Sequence, residues 1–381
     1  MYKYKCLNPI APVGLENFTG DYIKAGEDEA AEVILVRSAK MHEMEFDKDL
    51  LCIARAGAGV NNIPLERCAE EGIVVFNTPG ANANGVKELF VFAAIASVRD
   101  VIGGIEWTKS QAENPDIAAL TEKEKKKFAG NEILGKKLGV IGLGAIGAKV
   151  ANTAIGLGMK VTGYDAFLND NMKAKLDPSV GITESLDDIA ACDMITIHVP
   201  ATADTKGMIN ASFLSKAKDG VIVINLARDT LVNEADMKEA LESGKVRKYV
   251  CDFPTEGASK MPNTILIPHL GASTEESEDN CAVMAVQEVR DFIENGNIKN
   301  SVNYPAISLG ALKGSRVCVA HRSDLSGLDI AKIIKSTSTD ISDMVSRARG
   351  QYSYSLFDIS SAEGVEEALK AKDGVLKVRV I

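Results

Sequence analysis

Residues 137–157, KLGVIGLGAIGAKVANTAIGL, set an apolar strand, a glycine turn and an alanine-rich helix end to end. Few other runs constrain a fold so tightly. Gly142, Gly144 and Gly147 stand in G-x-G-x-x-G order between the strand and the helix. The first glycine permits the tight turn, the second lets the backbone approach a pyrophosphate, and the third allows close helix–strand packing. The helix that follows offers free N–H groups and a positive dipole end to phosphates. The next strand, KVTGYD, ends at Asp165, 18 residues beyond Gly147. A carboxylate there accepts hydrogen bonds from ribose hydroxyls and repels a 2′-phosphate. The pattern therefore predicts a dinucleotide site that favours NAD over NADP.

Strand and helix signals alternate on both sides of this motif. Before it come EVILVRS, LLCIARAGAG, the short helix IPLERCAEEG, IVVFNTPG and the long apolar helix GVKELFVFAAIASVRD. A Lys- and Glu-rich stretch interrupts them, and after the motif come DMITIHVP, GVIVINLAR, RKYVCDFP and TILIPHLG, then a helix from Glu275. Such a rhythm predicts parallel sheets covered by helices. At 381 residues the chain is too long for one core. A formal net charge of −10 argues against general binding of nucleic acid or anionic membranes. The seven cysteines show no CxxC clip, which predicts no metal site and a reducing, cytoplasmic setting. No apolar run reaches membrane-spanning length, and the N-terminus lacks the apolar segment of a secretory signal.

With only four histidines, candidates for a proton carrier are few. His42 lies in a polar loop, and His321 belongs to the last unit of the chain. His198, in ITIHVP, ends a strand where open α/β sheets hold ligands, and is expected beside the cofactor. His269, in ILIPHLGAST, also ends a strand, next to Gly271. Two further strand ends deliver Arg228, in VIVINLARDT, and Asp252 and Glu256, in KYVCDFPTEG. An arginine, an acid and a histidine at convergent strand ends suit oxidation of a 2-hydroxy acid. The guanidinium holds a carboxylate bidentately and the imidazole takes the hydroxyl proton. The glutamate would orient the imidazole and favour its protonated form.

Together these segments make the chain similar to the D-isomer-specific 2-hydroxyacid dehydrogenases, over nearly its whole length. VRSAK, RAGAGVNNI, FNTPGAN, GVIGLGAIG, GYDAF, IHVPAT, INLARD, DFPTEG and PHLGAST all stand in family order. The resemblance implies that Arg228, Glu256 and His269 are catalytic. It implies cofactor contacts from Ala58, Ala145, Ile146, Asp165, Val199 and Pro200. Leu226, Ala227, Arg228, Asp252 and the stretch His269, Gly271 and Ala272 complete that set. It also implies a Rossmann-type nucleotide domain, residues 86–275, inserted in a flavodoxin-like substrate domain of residues 1–85 and 276–304. Three departures stand out. Asp229 replaces the usual glycine, Asn61 the usual aspartate, and the loop from Asp252 to Glu256 is one residue short.

A phosphorylated acid needs cations, and Arg37 and Arg55 are available at strand ends. The amides of Gly57, Ala58 and Gly59 could receive a carboxylate as an anion nest. The leading substrate expectation is 3-phosphoglycerate. The alternatives are a smaller acid such as glyoxylate, hydroxypyruvate or D-lactate, and a non-catalytic NAD-sensing interaction protein. Residues 312–381 read strand, helix, strand, strand, helix, strand. They resemble an ACT domain, which implies an amino-acid effector such as L-serine or an oligomerising role in a homo-dimer or tetramer. The effector turn is represented by HRSDLSG, with His321 and Gly327 in place and serine where proline is usual.

Overall fold

The computed structural model describes residues 1–26 and 28–381. They form two compact units, one of residues 1–82 and 275–381, the other of residues 83–274. The first unit begins with strands β1 (Tyr2–Cys6), β2 (Tyr22–Lys24), β3 (Val33–Val36), β4 (Cys52–Arg55) and β5 (Val74–Asn77). All pair in parallel, in the order β2-β1-β3-β4-β5. That is the flavodoxin-like winding. Every residue of VILV in β3 is buried, as a strand covered on both faces requires. The helix Glu275–Asn295 returns the chain to this sheet. It buries Cys281, Ala282, Ala285, Val286, Val289, Phe292 and Ile293, one face at helical spacing.

The second unit holds β6 (Lys137–Ile141), β7 (Lys160–Tyr164), β8 (Gly181–Thr183), β9 (Met194–Ile197), β10 (Val221–Asn225), β11 (Val246–Cys251) and β12 (Thr264–Leu266). Their order is β12-β11-β10-β9-β6-β7-β8, again all parallel. The winding reverses between β6 and β9, so the ligand crevice of this doubly wound sheet lies at their carboxyl ends. The glycine turn follows β6 and His198 follows β9 at that point. The polar interruption contains the helix Ile117–Glu124 and is preceded by the helix Val101–Ser110. No described helix is long and apolar enough to cross a membrane.

The C-terminal strands are β13 (Ser315–Arg322), β14 (Ile341–Arg349), β15 (Tyr352–Ile359) and β16 (Val375–Val380). With helices Gly327–Ser336 and Val365–Lys370 they make an antiparallel β14-β15-β13-β16 sheet, consistent with an ACT-like module. Alternate residues serve different cores. Val317, Val319, Phe357 and Ile359 pack beneath the module's helices, whereas Cys318, Ala320, Tyr354 and Leu356 join the core of the parallel sheet. The module is thus part of the first unit. Cations fasten it there. Arg316, fully buried, pairs with Asp358 at 2.5 Å and donates to the Asn295 carbonyl at 2.7 Å. Arg379 donates to the Phe292 carbonyl at 2.7 Å, with its guanidinium 4.3 Å from the Phe292 ring centroid.

Candidate functional site

The glycine turn is built for a phosphate. Gly142 has φ +91, and a side chain there would strike the His198 carbonyl. A methyl on Gly147 would collide with the Gly142 carbonyl, while Gly144 faces open space. The helix Ala145–Gly156 starts at Gly144 with no side-chain cap, leaving its first amides to a ligand. Asp165 follows β7, and its two oxygens accept from the amides of Leu143 (2.7 Å) and Phe167 (2.9 Å). The carboxylate is thereby fixed, and each oxygen keeps acceptor capacity for a ribose hydroxyl. Val199 packs against the Gly142 turn, and the Pro200 carbonyl accepts from Thr205 at 2.7 Å. His198 contacts Thr196 Oγ1 through Nε2 at 2.9 Å, while its buried Nδ1 has no partner. Burial pushes this imidazole down to about 3, so it stays neutral. The cradle, the fixed acid and the orphaned ring nitrogen fit a bound dinucleotide.

At the end of β10, Asn225 is fully buried and braces the loop beyond it. Its Oδ1 accepts from the Ala227 amide at 3.1 Å, and its Nδ2 donates to the Arg228 carbonyl at 2.8 Å. Leu226 turns into the core, so only its backbone is left for a ligand. Arg228 Nη1 donates to the Ala227 carbonyl at 2.6 Å, and its guanidinium stands 5.5 Å from the Phe253 ring centroid. His269 approaches the same ring, with centroids 4.6 Å apart. The structure therefore brings Arg228 and His269 to one aromatic side chain. His269 is held there at φ +56, a left-handed conformation that costs a non-glycine residue energy. Asp252, 1% exposed, supplies the compensation. It accepts from Leu270 at 2.7 Å and Gly271 at 2.8 Å, which locks the turn through His269 and Ala272. Burial raises its pKa, and those amides and the His269 charge oppose the rise.

Glu256 is not brought to His269. It opens the short helix Glu256–Ser259, points to solvent and pairs with Lys260 at 2.6 Å. Thr255 caps that helix through the Ala258 amide and also donates to Glu234. The shortened loop from Asp252 thus spends its carboxylate on a helix pair. Among the described residues, no carboxylate is hydrogen-bonded to the His269 ring. Neither Asn225 nor Phe253 was expected. Each stands beside an expected residue, at the last position of β10 and just after Asp252.

In the first unit, Arg37 and Arg55 follow one another at neighbouring strand ends, β3 pairing with β4 so that Val36 faces Arg55. Arg55 Nε donates to the Arg37 carbonyl at 3.1 Å. Arg37 Nη2 meets Glu278 Oε1 at 2.6 Å. Gly57, at φ +144, lies against the Arg55 guanidinium, and its amide donates to Thr78 at 2.7 Å. The Ala58 carbonyl accepts from Asn77 at 2.6 Å. The amides of Ala58 and Gly59 donate to no group among the described residues.

Residues 91–271 match the model of the D-isomer specific 2-hydroxyacid dehydrogenase NAD-binding domain. The chain is 36% identical over 270 residues to the hydroxypyruvate reductase of Thermotoga maritima, covering 68% of this chain and 83% of that protein. This chain belongs to the D-isomer-specific 2-hydroxyacid dehydrogenase family. It is 35% identical over 287 residues to the D-3-phosphoglycerate dehydrogenase of Archaeoglobus fulgidus, covering 72% of this chain and 52% of that one. The chain spans about half the length of the phosphoglycerate dehydrogenases it matches. Among solved structures, the NAD+-bound 3-phosphoglycerate dehydrogenase of Entamoeba histolytica matches with a TM-score of 0.60 and 26% identity, over 79% of this chain and 98% of that one. The D-mandelate dehydrogenase of Rhodotorula graminis shares the fold, with a TM-score of 0.66 at 20% identity over 81% of this chain and 99% of that one.

Proposed function

We propose that this chain oxidises D-3-phosphoglycerate to 3-phosphohydroxypyruvate with NAD, the first step of L-serine biosynthesis. The observation that carries the reading is the convergence of Arg228 and His269 on Phe253, in the same unit as the pyrophosphate cradle. The named relatives at 35% identity support the substrate. When bound, NAD supplies the hydride acceptor. Arg228 holds the substrate carboxylate and polarises the reacting oxygen. His269 accepts the hydroxyl proton as the C–H hydride departs. Asp252 keeps His269 in its left-handed turn. Glu256 joins the pair only by leaving Lys260. Arg37 and Arg55 take the distal phosphoryl group, beside the anion nest of the Ala58 and Gly59 amides; the Gly57 amide, expected in that nest, is engaged with Thr78 instead.

The ACT-like module serves as an anchor and an oligomer contact. Its His321 is fully buried, with Nδ1 2.9 Å from the Arg322 carbonyl and Nε2 2.8 Å from Ser355 Oγ. An imidazole so engaged favours the docking role over amino-acid sensing. The test of the reaction mixes protein, NAD and 3-phosphoglycerate at alkaline pH and follows absorbance at 340 nm, with D-lactate in parallel. Turnover of 3-phosphoglycerate is expected, and a rise with D-lactate alone overturns the substrate. His269→Ala is expected to abolish turnover while NAD still binds. Surviving activity would reassign the proton carrier.

A further inference from the structure

Arg37 is the cation best placed at the anion corner of the first unit, yet it is already occupied. Glu278, in the first turns of helix Glu275–Asn295, holds it at 2.6 Å. Arg55 lies one strand away, bonded to the Arg37 carbonyl, and the Ala58 and Gly59 amides are unpartnered among the described residues. Cys281 lies beneath. Burial raises its pKa, a Thr78 hydrogen bond and the charges of Arg55 and Arg37 lower it, and Glu278 raises it. All four groups thus act on one place.

We propose that Glu278 is a specificity-determining residue, an internal counter-ion that sets how much negative charge the substrate's distal group can bring to Arg37. The inference rests on the reading of Arg37 as a substrate-binding cation. The side chains of the pair are 40% and 41% exposed. An exposed ion pair is worth only about 0–1 kcal/mol, so an incoming phosphoryl group can displace it. That group carries a charge of about −1.5 to −2 at neutral pH. The displaced carboxylate stays tethered on the helix, within a Debye length of roughly 8 Å, and repels the phosphoryl group. A tail that ends in a hydroxyl meets neither competition nor repulsion. Glu278 therefore narrows the preference for phosphorylated over unphosphorylated acids.

The experiment titrates the NAD-loaded protein calorimetrically with 3-phosphoglycerate and with D-glycerate, which lacks the phosphoryl group. The readout is the ratio of the two dissociation constants, which needs no turnover. Glu278→Gln and Glu278→Ala are each expected to shift it by up to about fivefold toward 3-phosphoglycerate, the size of one lost exposed charge contact. The shift should vanish when Arg37→Met is added. An unchanged ratio in Glu278→Gln, or a shift that persists without Arg37, overturns the proposal. If the ratio responds as expected while the wild type fails to oxidise 3-phosphoglycerate, the substrate reading fails and the role of Glu278 stands.

Discussion

Glu288 lies in the middle of the helix Glu275–Asn295 and is 5% exposed. One oxygen accepts from Asn300 Nδ2 at 2.7 Å, and the other is buried without a partner. Burial pushes its pKa from 4.5 up to about 8, against smaller opposing effects of Asn300 and Lys299. The folded chain therefore holds a proton that the unfolded chain releases near pH 4.5. Its contribution to stability is fully present below that pH and is lost as pH rises through about 8. At about 1.36 kcal/mol per pH unit, the interval is worth roughly 5 kcal/mol, with about 3 already lost at pH 7. Glu288→Gln keeps the shape and the Asn300 bond but has no proton to lose. Urea melts followed by far-ultraviolet circular dichroism should show the variant within about 1 kcal/mol of wild type at pH 5. At pH 9 it should be more stable by roughly 3–5 kcal/mol. A difference that stays flat from pH 5 to 9 would refute the assignment, because every other titrating group is shared.

Arg379→Met should destabilise the first unit by about 2–4 kcal/mol, since it strips donors from two buried helix-end carbonyls and a cation from Phe292. Limited proteolysis would then cut first between residues 296 and 315, and wild-type resistance there would count against the cap. Glu256→Gln is expected to lower kcat in steady-state assays, the result required if Glu256 leaves Lys260 for His269 during turnover. An unchanged kcat would leave Glu256 with Lys260 alone.

Legibility followed the physics of each segment. VILV, CIA and VIVI are continuous apolar runs, and only strands buried on both faces need them, so β3, β4 and β10 were plain. TYR-rich β1, the short β2 and the short β8 were not. YKYKC alternates lysine with apolar residues, and YIK and GIT are three residues long. Their strand state comes from pairing with neighbours, as in Tyr4 opposite Val33. Arg228 and His269 were legible because strand ends of a doubly wound sheet converge. Phe253 was hidden because its role depends on ring positions across two loops. Glu256 misled for a related reason: spacing along the chain shows that a carboxylate is near, while one missing residue decides which way it faces.

The helix Glu275–Asn295 ties these observations together within the first unit. Its first turns carry the carboxylate that occupies Arg37, its middle buries Glu288, and its last carbonyls are capped by Arg379 and Arg316. Helix termini leave carbonyls unsatisfied, and positive charge at the C-terminal end is favourable. Here that charge comes from strands of the ACT-like module, so the module completes the helix as well as covering its apolar face. A chain cut before residue 315 would lose both the caps and the packing of Tyr354 and Leu356 on the parallel sheet. The helix that positions Glu278 beside Arg37 is therefore stabilised at its far end by the last four strands. The proposed charge control at Arg37 and the anchoring of the module are two properties of one rigid element.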